Sequence, residues 1–249
     1  MDLGLAGRRA AVGAASAGLG FACAEALVAE GAEVVLCGSD PARAEAAAAR
    51  LGAGTRHLVA DLADPEHAER FVVEATELLG GLDVLVVNGP GPSAGTAVAT
   101  PAEAYQSALD RSLLAVVRMC LAALPPMRAA GWGRIVAITS LGVRQPYANL
   151  APSNTARAGA TGFLRTLATE VAADGVTVNS VQPGLHATDR VRRVFDEAAL
   201  SAQLAGVPAG RLGEPAELAA VVAFLCSQHA GYVTGAAIPV DGGANRALQ

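Results

Sequence analysis

The sequence predicts an α/β protein: a single doubly wound sheet of about seven mostly parallel strands, flanked by helices on both faces. Three observations predict it. Short β-branched or apolar runs alternate along the chain with longer alanine-rich amphipathic stretches. Several helical stretches open on proline, at Asp40-Pro41, Asp64-Pro65, Thr100-Pro101 and Glu214-Pro215, where proline's missing N–H and fixed φ suit a first helical turn. A glycine-rich turn, Gly13-Ala14-Ala15-Ser16-Ala17-Gly18-Leu19-Gly20, falls where the first strand gives way to the first helix.

In chain order, strands are expected at 9–13, 33–37, 55–60, 83–88, 134–139, 177–181 and 236–240. Helices are expected at 18–30, 41–51, 65–79, 101–129, 153–173 and 215–228. Such alternation implies right-handed crossovers and a parallel sheet covered on both faces. No stretch rich in Pro, Gly or Ser divides the chain, so residues 1–249 form one domain. The stretch 184–213 breaks the rhythm with about thirty residues, helical over 189–204. A connection this long at the carboxyl edge of a sheet reads as a substrate-covering lid at about 185–213.

Composition narrows the class. With 52% hydrophobic and 16% charged residues the chain can bury a large core. A net charge of −5 without a basic cluster argues against nucleic acid as a partner. No apolar run suggests a membrane span, and the start Met1-Asp2-Leu3-Gly4 carries no signal pattern, so the expectation is a cytoplasmic protein without a membrane partner. Cys23, Cys37, Cys120 and Cys226 lie far apart in apolar stretches, as buried thiols do in a reducing compartment. No His, Cys or acidic cluster has metal-ligand spacing, so no metal is expected.

The glycine turn makes the predicted sheet Rossmann-type. Gly13, Gly18 and Gly20 let backbone approach a pyrophosphate, the helix start at Gly18 and Leu19 offers free N–H groups, and Ser16 offers a hydroxyl. Four more polar or backbone-exposing elements end successive strands: Gly38-Ser39-Asp40, Asp61-Leu62, Asn88-Gly89 and Pro183-Gly184. Together they outline one ligand groove at one sheet edge. No acid stands at Gly38 or Ser39, and Arg43 follows on the next helix, so NADP(H) is favoured over NAD(H).

On these residues the chain resembles the short-chain dehydrogenase/reductase family nearly end to end. The glycine turn resembles its TGxxxGxG, and Asp61 its adenine-contacting Asp. The run from Leu82 to Gly89 resembles LDVLVNNAG, and that from Gly133 to Ser140 resembles the strand ending in the catalytic serine. Val178 to Gly184 resembles VNxxxPG, and Tyr232-Val233-Thr234-Gly235 with Val240-Asp241-Gly242-Gly243 resembles the C-terminal signature. The Asn-Gly-Pro-Gly-Pro loop and Ser153-Asn154-Thr155-Ala156-Arg157 resemble an atypical group similar to 3-oxoacyl-carrier-protein reductases.

The resemblance implies hydride transfer between a nicotinamide and a carbonyl or alcohol, assisted by a Ser, a Tyr, a Lys and an Asn. Aligning Ser140 with the serine places the tyrosine position at Ser153, the lysine position at Arg157 and the asparagine position near Ser112. An aliphatic hydroxyl is far less acidic than a phenol, and an arginine binds and polarises without relaying protons. Ser153, Asn154 and Arg157 still make a donor-rich site for a carbonyl oxygen. Tyr147, in the loop before that helix, is a replacement proton donor if Arg157 or Arg144 lowers its pKa. His186, after Pro183-Gly184, is a further candidate. His57, His67 and His229 read as surface residues, and Trp132 as packing or interface.

The leading expectation is an NADP(H)-dependent reductase or dehydrogenase, its substrate a small molecule such as a 3-oxoacyl or polyketide-like ketone carried as an acyl group. The lid arginines Arg190, Arg192 and Arg193 suit an anionic end on that substrate. The alternatives are a non-redox dehydratase, cyclase or isomerase on the same fold, and an inactive cofactor-binding partner subunit. The long helices 101–129 and 153–173 carry extra apolar positions that suit a homo-oligomer, dimer or tetramer.

Overall fold

A computed structural model describes residues 1–52, 54–189, 191 and 196–247. Seven parallel strands form one sheet: β1 Arg9–Val12, β2 Glu33–Gly38, β3 Arg56–Val59, β4 Val84–Val87, β5 Gly133–Ile138, β6 Val176–Pro183 and β7 Ala237–Val240. Their spatial order is β3-β2-β1-β4-β5-β6-β7. The order reverses between β1 and β4, which opens a crevice at their carboxyl ends.

The helices are α1 Gly18–Ala29, α2 Pro41–Leu51, α3 Pro65–Leu79, α4 Ala102–Leu109, α5 Ala115–Ala130, α6 Ala151–Val171, α7 Glu197–Leu204 and α8 Pro215–Cys226. Strand side chains alternate faces, as a period of two requires. Ala11, Val35, Leu85 and Ile135 pack with α3, α5 and α6, whereas Ala10, Val34, Val84 and Val136 pack with α1, α2 and α8. Both faces are therefore covered, and the four cysteines lie buried within these layers.

Helix starts follow the local chemistry. Asp40 accepts from Arg43 N at 2.9 Å and Asp64 from Glu66 N at 2.8 Å, each one residue before a proline. Pro41, Pro65 and Pro215 open their helices, but Pro101 caps α4 from outside. Two expected elements differ. β6 runs on to Pro183, because β7 pairs with its last four residues. The expected helix 101–129 contains a π-helical turn, Asp110–Leu114, between α4 and α5. Against the expectation that no apolar run suggests a membrane span, the whole stretch Ala102–Ala130 is long and apolar enough, by length and composition alone, to cross one. Its Met119, Cys120, Ala123 and Met127 lie in the core against α3 and the sheet.

The insertion after β6 is pinned at both feet. Ala187 N donates to Gly213 O at 2.9 Å, and Gly213 N to Leu185 O at 3.0 Å. Its second half lies on the turn after β7, where Ala209 N donates to Gly242 O at 3.0 Å. Of the helix expected over 189–204, Asp189 and Val191 are helical, and the described stretch that follows is α7, capped by Asp196. Arg190, Arg192 and Arg193 lie outside the described residues.

Candidate active site

Because the strands are parallel, Gly13, Gly38, Asp61, Asn88, Ser140 and Pro183 all stand at one edge of the sheet. The glycine turn crosses the β1–β4 crevice and is tied on both sides. Gly13 N donates to Val86 O at 3.0 Å, and Ala15 N to Cys37 O at 2.8 Å. Asn88 Nδ2 donates to Gly13 O and to Ala14 O, both at 3.2 Å. A Cβ at Gly13 would stand 2.6 Å from Asn88 O, and one at Gly20 would stand 2.5 Å from Ala14 O. Glycine at both positions is therefore a matter of room. Asn88 thus ties this turn to the end of strand four. Ala14 is the single non-glycine residue with positive φ, +44°, among the described residues, and L-residues hold that conformation at a cost.

Beyond the turn the edge opens. α1 starts at Gly18 with Ala17 as N-cap and no side-chain cap, so its first N–H groups face outward. Gly18, φ +62°, has only Thr188 among the described residues within 4 Å of a Cβ position, which leaves a gap beneath the first foot of the insertion. Ser16 packs on Gly38, where a Cβ would lie 2.9 Å from Ser16 Cβ. Ser39 is exposed beside it, while Asp40 is engaged as the α2 cap. Leu62 is buried next to Gly13, and Asp61 is exposed, its Oδ1 accepting from Ala63 N. Gly89 and Asn88 wall a small cavity one strand from Ser140. Each predicted cofactor residue thus borders the same edge.

The predicted catalytic residues gather between β5 and α6. Ser140 Oγ accepts from Gly142 N at 3.0 Å, which leaves its O–H free to donate. Asn154 Nδ2 donates to Tyr147 O at 2.8 Å and so pins the loop to the helix. A Cβ at Gly142 would meet Asn154 Oδ1, Tyr147 Cδ2 and Ser140 Oγ within 2.7 to 3.2 Å, so three side chains converge on one glycine. Ser153 sits half-buried on the first turn of α6, one residue before Asn154. One turn on, Arg157 Nη1 donates to Ile138 O and Thr139 O, both at 3.0 Å, which fixes its cation at the end of β5.

Two expectations are corrected here. Burial, aided by the charge of Asp241, holds the Tyr147 phenol above its ordinary value of 10.0, rather than a cation lowering it. Arg144 is turned away, donating to Gln182 Oε1 at 2.6 Å and Ala237 O at 2.7 Å. His186 is not at the open edge: it is 3% exposed, packs on Gly213 and shares Nδ1 with Gly184 O. Burial keeps its imidazole below the usual range, hence neutral. Among the other histidines, His57 is half-buried on β3 and His229 contacts Asp2 O. Trp132 is a packing residue, stacked between Arg8 and Arg134.

Sequence reasoning missed Arg111, which lines the cavity beside Asn88 and Arg157. The signal was present as a polar triplet, Asp110-Arg111-Ser112, inside an apolar helix. It also missed Asp241, whose place beside Tyr147 depends on the turn after β7. A larger depression of about 430 Å³ lies at the opposite, amino edge and is walled by Asp2, Arg8, Arg9 and Asp83. The Arg9–Asp83 ion pair, 2.8 Å, serves there to join β1 to β4.

Fold and site define a doubly wound α/β protein with its ligand crevice at the topological switch point and a hydroxyl-rich cluster one strand away. Residues 13–245 match the family model described as enoyl-(acyl carrier protein) reductase. The 3-oxoacyl-[acyl-carrier-protein] reductase of Vibrio cholerae is 36% identical over 241 residues, spanning 97% of this chain and 98% of the relative. Dehydrogenase/reductase SDR family member 4 of Bos taurus is 34% identical, spanning 94% of this chain and 86% of the relative. The L-sorbose reductase of Gluconobacter frateurii, solved with NADPH and L-sorbose, superposes with a TM-score of 0.93 at 32% identity and 100% coverage of both chains. A 3-oxoacyl (acyl-carrier-protein) reductase of Agrobacterium tumefaciens, solved with NADP bound, has a TM-score of 0.91 at 31% identity, covering 97% of this chain and 95% of the other. The chain belongs to the short-chain dehydrogenase/reductase family of oxidoreductases.

Proposed function

We propose that this protein is an NADP(H)-dependent reductase of carbonyl compounds, with 3-oxoacyl thioesters and polyketide-like ketones as its substrate class. The observation that carries the reading is the convergence of Ser140, Tyr147 and Asn154 on Gly142, one strand from the crevice where the glycine turn meets Asn88. The uncapped start of α1 and the gap over Gly18 suit a pyrophosphate. Lack of an acid at Gly38 and Ser39, with Asp40 already engaged, favours a 2′-phosphate over a bare ribose. The solved relatives with NADPH or NADP agree with that preference.

Bound along this edge, the nicotinamide cofactor supplies the hydride. Ser140 donates a hydrogen bond to the substrate carbonyl oxygen. Tyr147, kept protonated by burial and by Asp241, delivers the proton to the alkoxide that forms. Arg157, anchored on Ile138 O and Thr139 O, holds a permanent positive charge beside the reacting groups and passes no proton. In this reading Ser153 and Arg157 occupy the positions of the family's tyrosine and lysine, and the active site is atypical. A phenol held protonated favours reduction over alcohol oxidation, which needs a base.

The insertion over 185–213 acts as the substrate lid. The exposed Leu114 and Leu121 on the long helix face a second copy of the chain in a homo-oligomer, and the buried thiols suit a reducing cytoplasm. The test is NADPH consumption across a panel of ketones and 3-oxoacyl thioesters. Turnover that is lost in Ser140→Ala supports the reading; NADPH binding without turnover of any carbonyl overturns it. Product formation with unchanged cofactor absorbance assigns the site to non-redox chemistry, the reading that Arg157's fixed charge would serve.

A further inference from the structure

We propose that His186 is a positioning residue for the cofactor edge: its ring clasps the two feet of the insertion together and so sets Thr188 over Gly18. His186 and Gly213 stand side by side as an isolated parallel pair. Backbone bonds run on either side of it, from Ala187 N to Gly213 O and from Gly213 N to Leu185 O. The ring fills the place a side chain at position 213 would take. A Cβ there would lie 3.0 Å from both Cδ2 and Nε2 of His186. Gly213 has no positive φ, so glycine at this position answers to room rather than to conformation. Two residues beyond the ring, Thr188 N donates to His186 O at 2.7 Å. Thr188 Cγ2 then lies 3.8 Å from where a Cβ on Gly18 would stand. The clasp therefore fixes the one described residue that covers the gap in the glycine turn. That this gap receives a cofactor rests on the reading above; the clasp itself does not.

The clasp suits an uncharged ring. His186 is 3% exposed. Gly184 O can only accept, so the hydrogen of the ring sits on Nδ1, which meets that oxygen at 3.2 Å. Nε2 is left as a buried lone pair with no hydrogen-bond partner among the described residues. A second proton would put a charge and an N–H into that space with no acceptor to meet them. The charged groups packed around the ring do not reach Nε2. From the second foot and α8, Arg211 pairs with Glu217 at 2.7 and 2.8 Å, and Glu217 Oε2 also accepts from Glu214 N. From the turn after β7, Asp241 packs on Gly184 and accepts from Gly243 N and Asn245 N. Burial outweighs the pull of Glu217 and Glu214 and holds the imidazole below its ordinary value of 6.5. An opened clasp returns the ring to that ordinary value, so the open form takes up the proton first. Closure is thus complete above about 6.5 and weakens as pH falls through it.

The test compares full-length wild type, His186→Phe and His186→Ala, each checked for folding by circular dichroism. Amide hydrogen exchange followed by NMR gives protection factors for Ala187 and Gly213, and equilibrium titration gives NADPH affinity, at about pH 5.5 and about pH 7.5. In wild type both amides should lose protection by about threefold or more at the lower pH, and NADPH should bind more weakly there. His186→Phe keeps the ring and removes the titration, so protection and affinity should hold at both values. His186→Ala removes the ring, and protection should fall by about tenfold at both, with NADPH affinity falling alongside. Equal protection in His186→Ala and wild type overturns the clasp. A pH response that survives in His186→Phe overturns His186 as the titrating group. Lost protection with unchanged NADPH affinity overturns the positioning role. If no variant binds NADPH, wild type included, the cofactor reading fails, and the exchange data still decide the clasp.

Discussion

The two halves of the carboxyl edge are built on different terms. Around the glycine turn the site is made of backbone: N–H groups, carbonyls and the room left by Gly13 and Gly20. Between β5 and α6 it is made of side chains, Ser140, Tyr147, Asn154 and Arg157. A backbone cradle tolerates exchange of its side chains as long as the approach distances hold, which is why Ala14 is accommodated. A side-chain cluster changes its chemistry whenever one member changes, and burial then resets the pKa of the others.

This difference predicts graded effects. In the side-chain half, Ser140→Ala and Tyr147→Phe should each lower kcat by about a hundredfold or more with little change in stability, since each removes one donor to the transition state. Stopped-flow hydride transfer and thermal unfolding, run in parallel, measure both. In the backbone half, Gly13→Ala forces a Cβ against Asn88 O and should cost about 1–3 kcal/mol of stability and most of the NADPH affinity. Urea titration and equilibrium dialysis check this, and an unperturbed variant would break the contrast between the halves.

The pH profile sharpens the comparison. The Tyr147 phenol acts in its protonated form and titrates above 10.0, so reduction should stay level through neutral pH and fall only at higher pH. A decline centred below pH 8 would point to another proton donor. The smallest effect belongs to Ala14→Gly, which relieves a positive φ and should stabilise the protein by about 1 kcal/mol without altering turnover. Differential scanning calorimetry reads it.

The sequence made the sheet legible because its strands alternate between two cores and several crossover helices announce their start with proline or a capping acid. The cofactor edge was legible for the same reason: parallel strands bring their ends together. The catalytic half was only partly so. Ser140 and Arg157 followed from the family resemblance, but Tyr147's raised pKa comes from burial in the folded loop and then from Asp241, remote in sequence and brought close by the turn after β7. The π-helical turn that points Arg111 inward leaves no periodic signature, since one inserted residue looks like a small phase error in a helical pattern. His186 was misplaced because its chain position is at the open edge, while its ring turns back onto Gly213.

Trp132, the sole tryptophan of the chain, lies 3.9 Å beneath Arg8 and 4.3 Å from Arg134 at the amino edge of the sheet, remote from the glycine turn. The molecule therefore carries one indole fluorophore, and its emission is set by two stacked cations rather than by the ligand crevice. Its wavelength will report whether the N-terminal segment is docked on β5, so global unfolding can be followed optically while the other end of the sheet is being titrated.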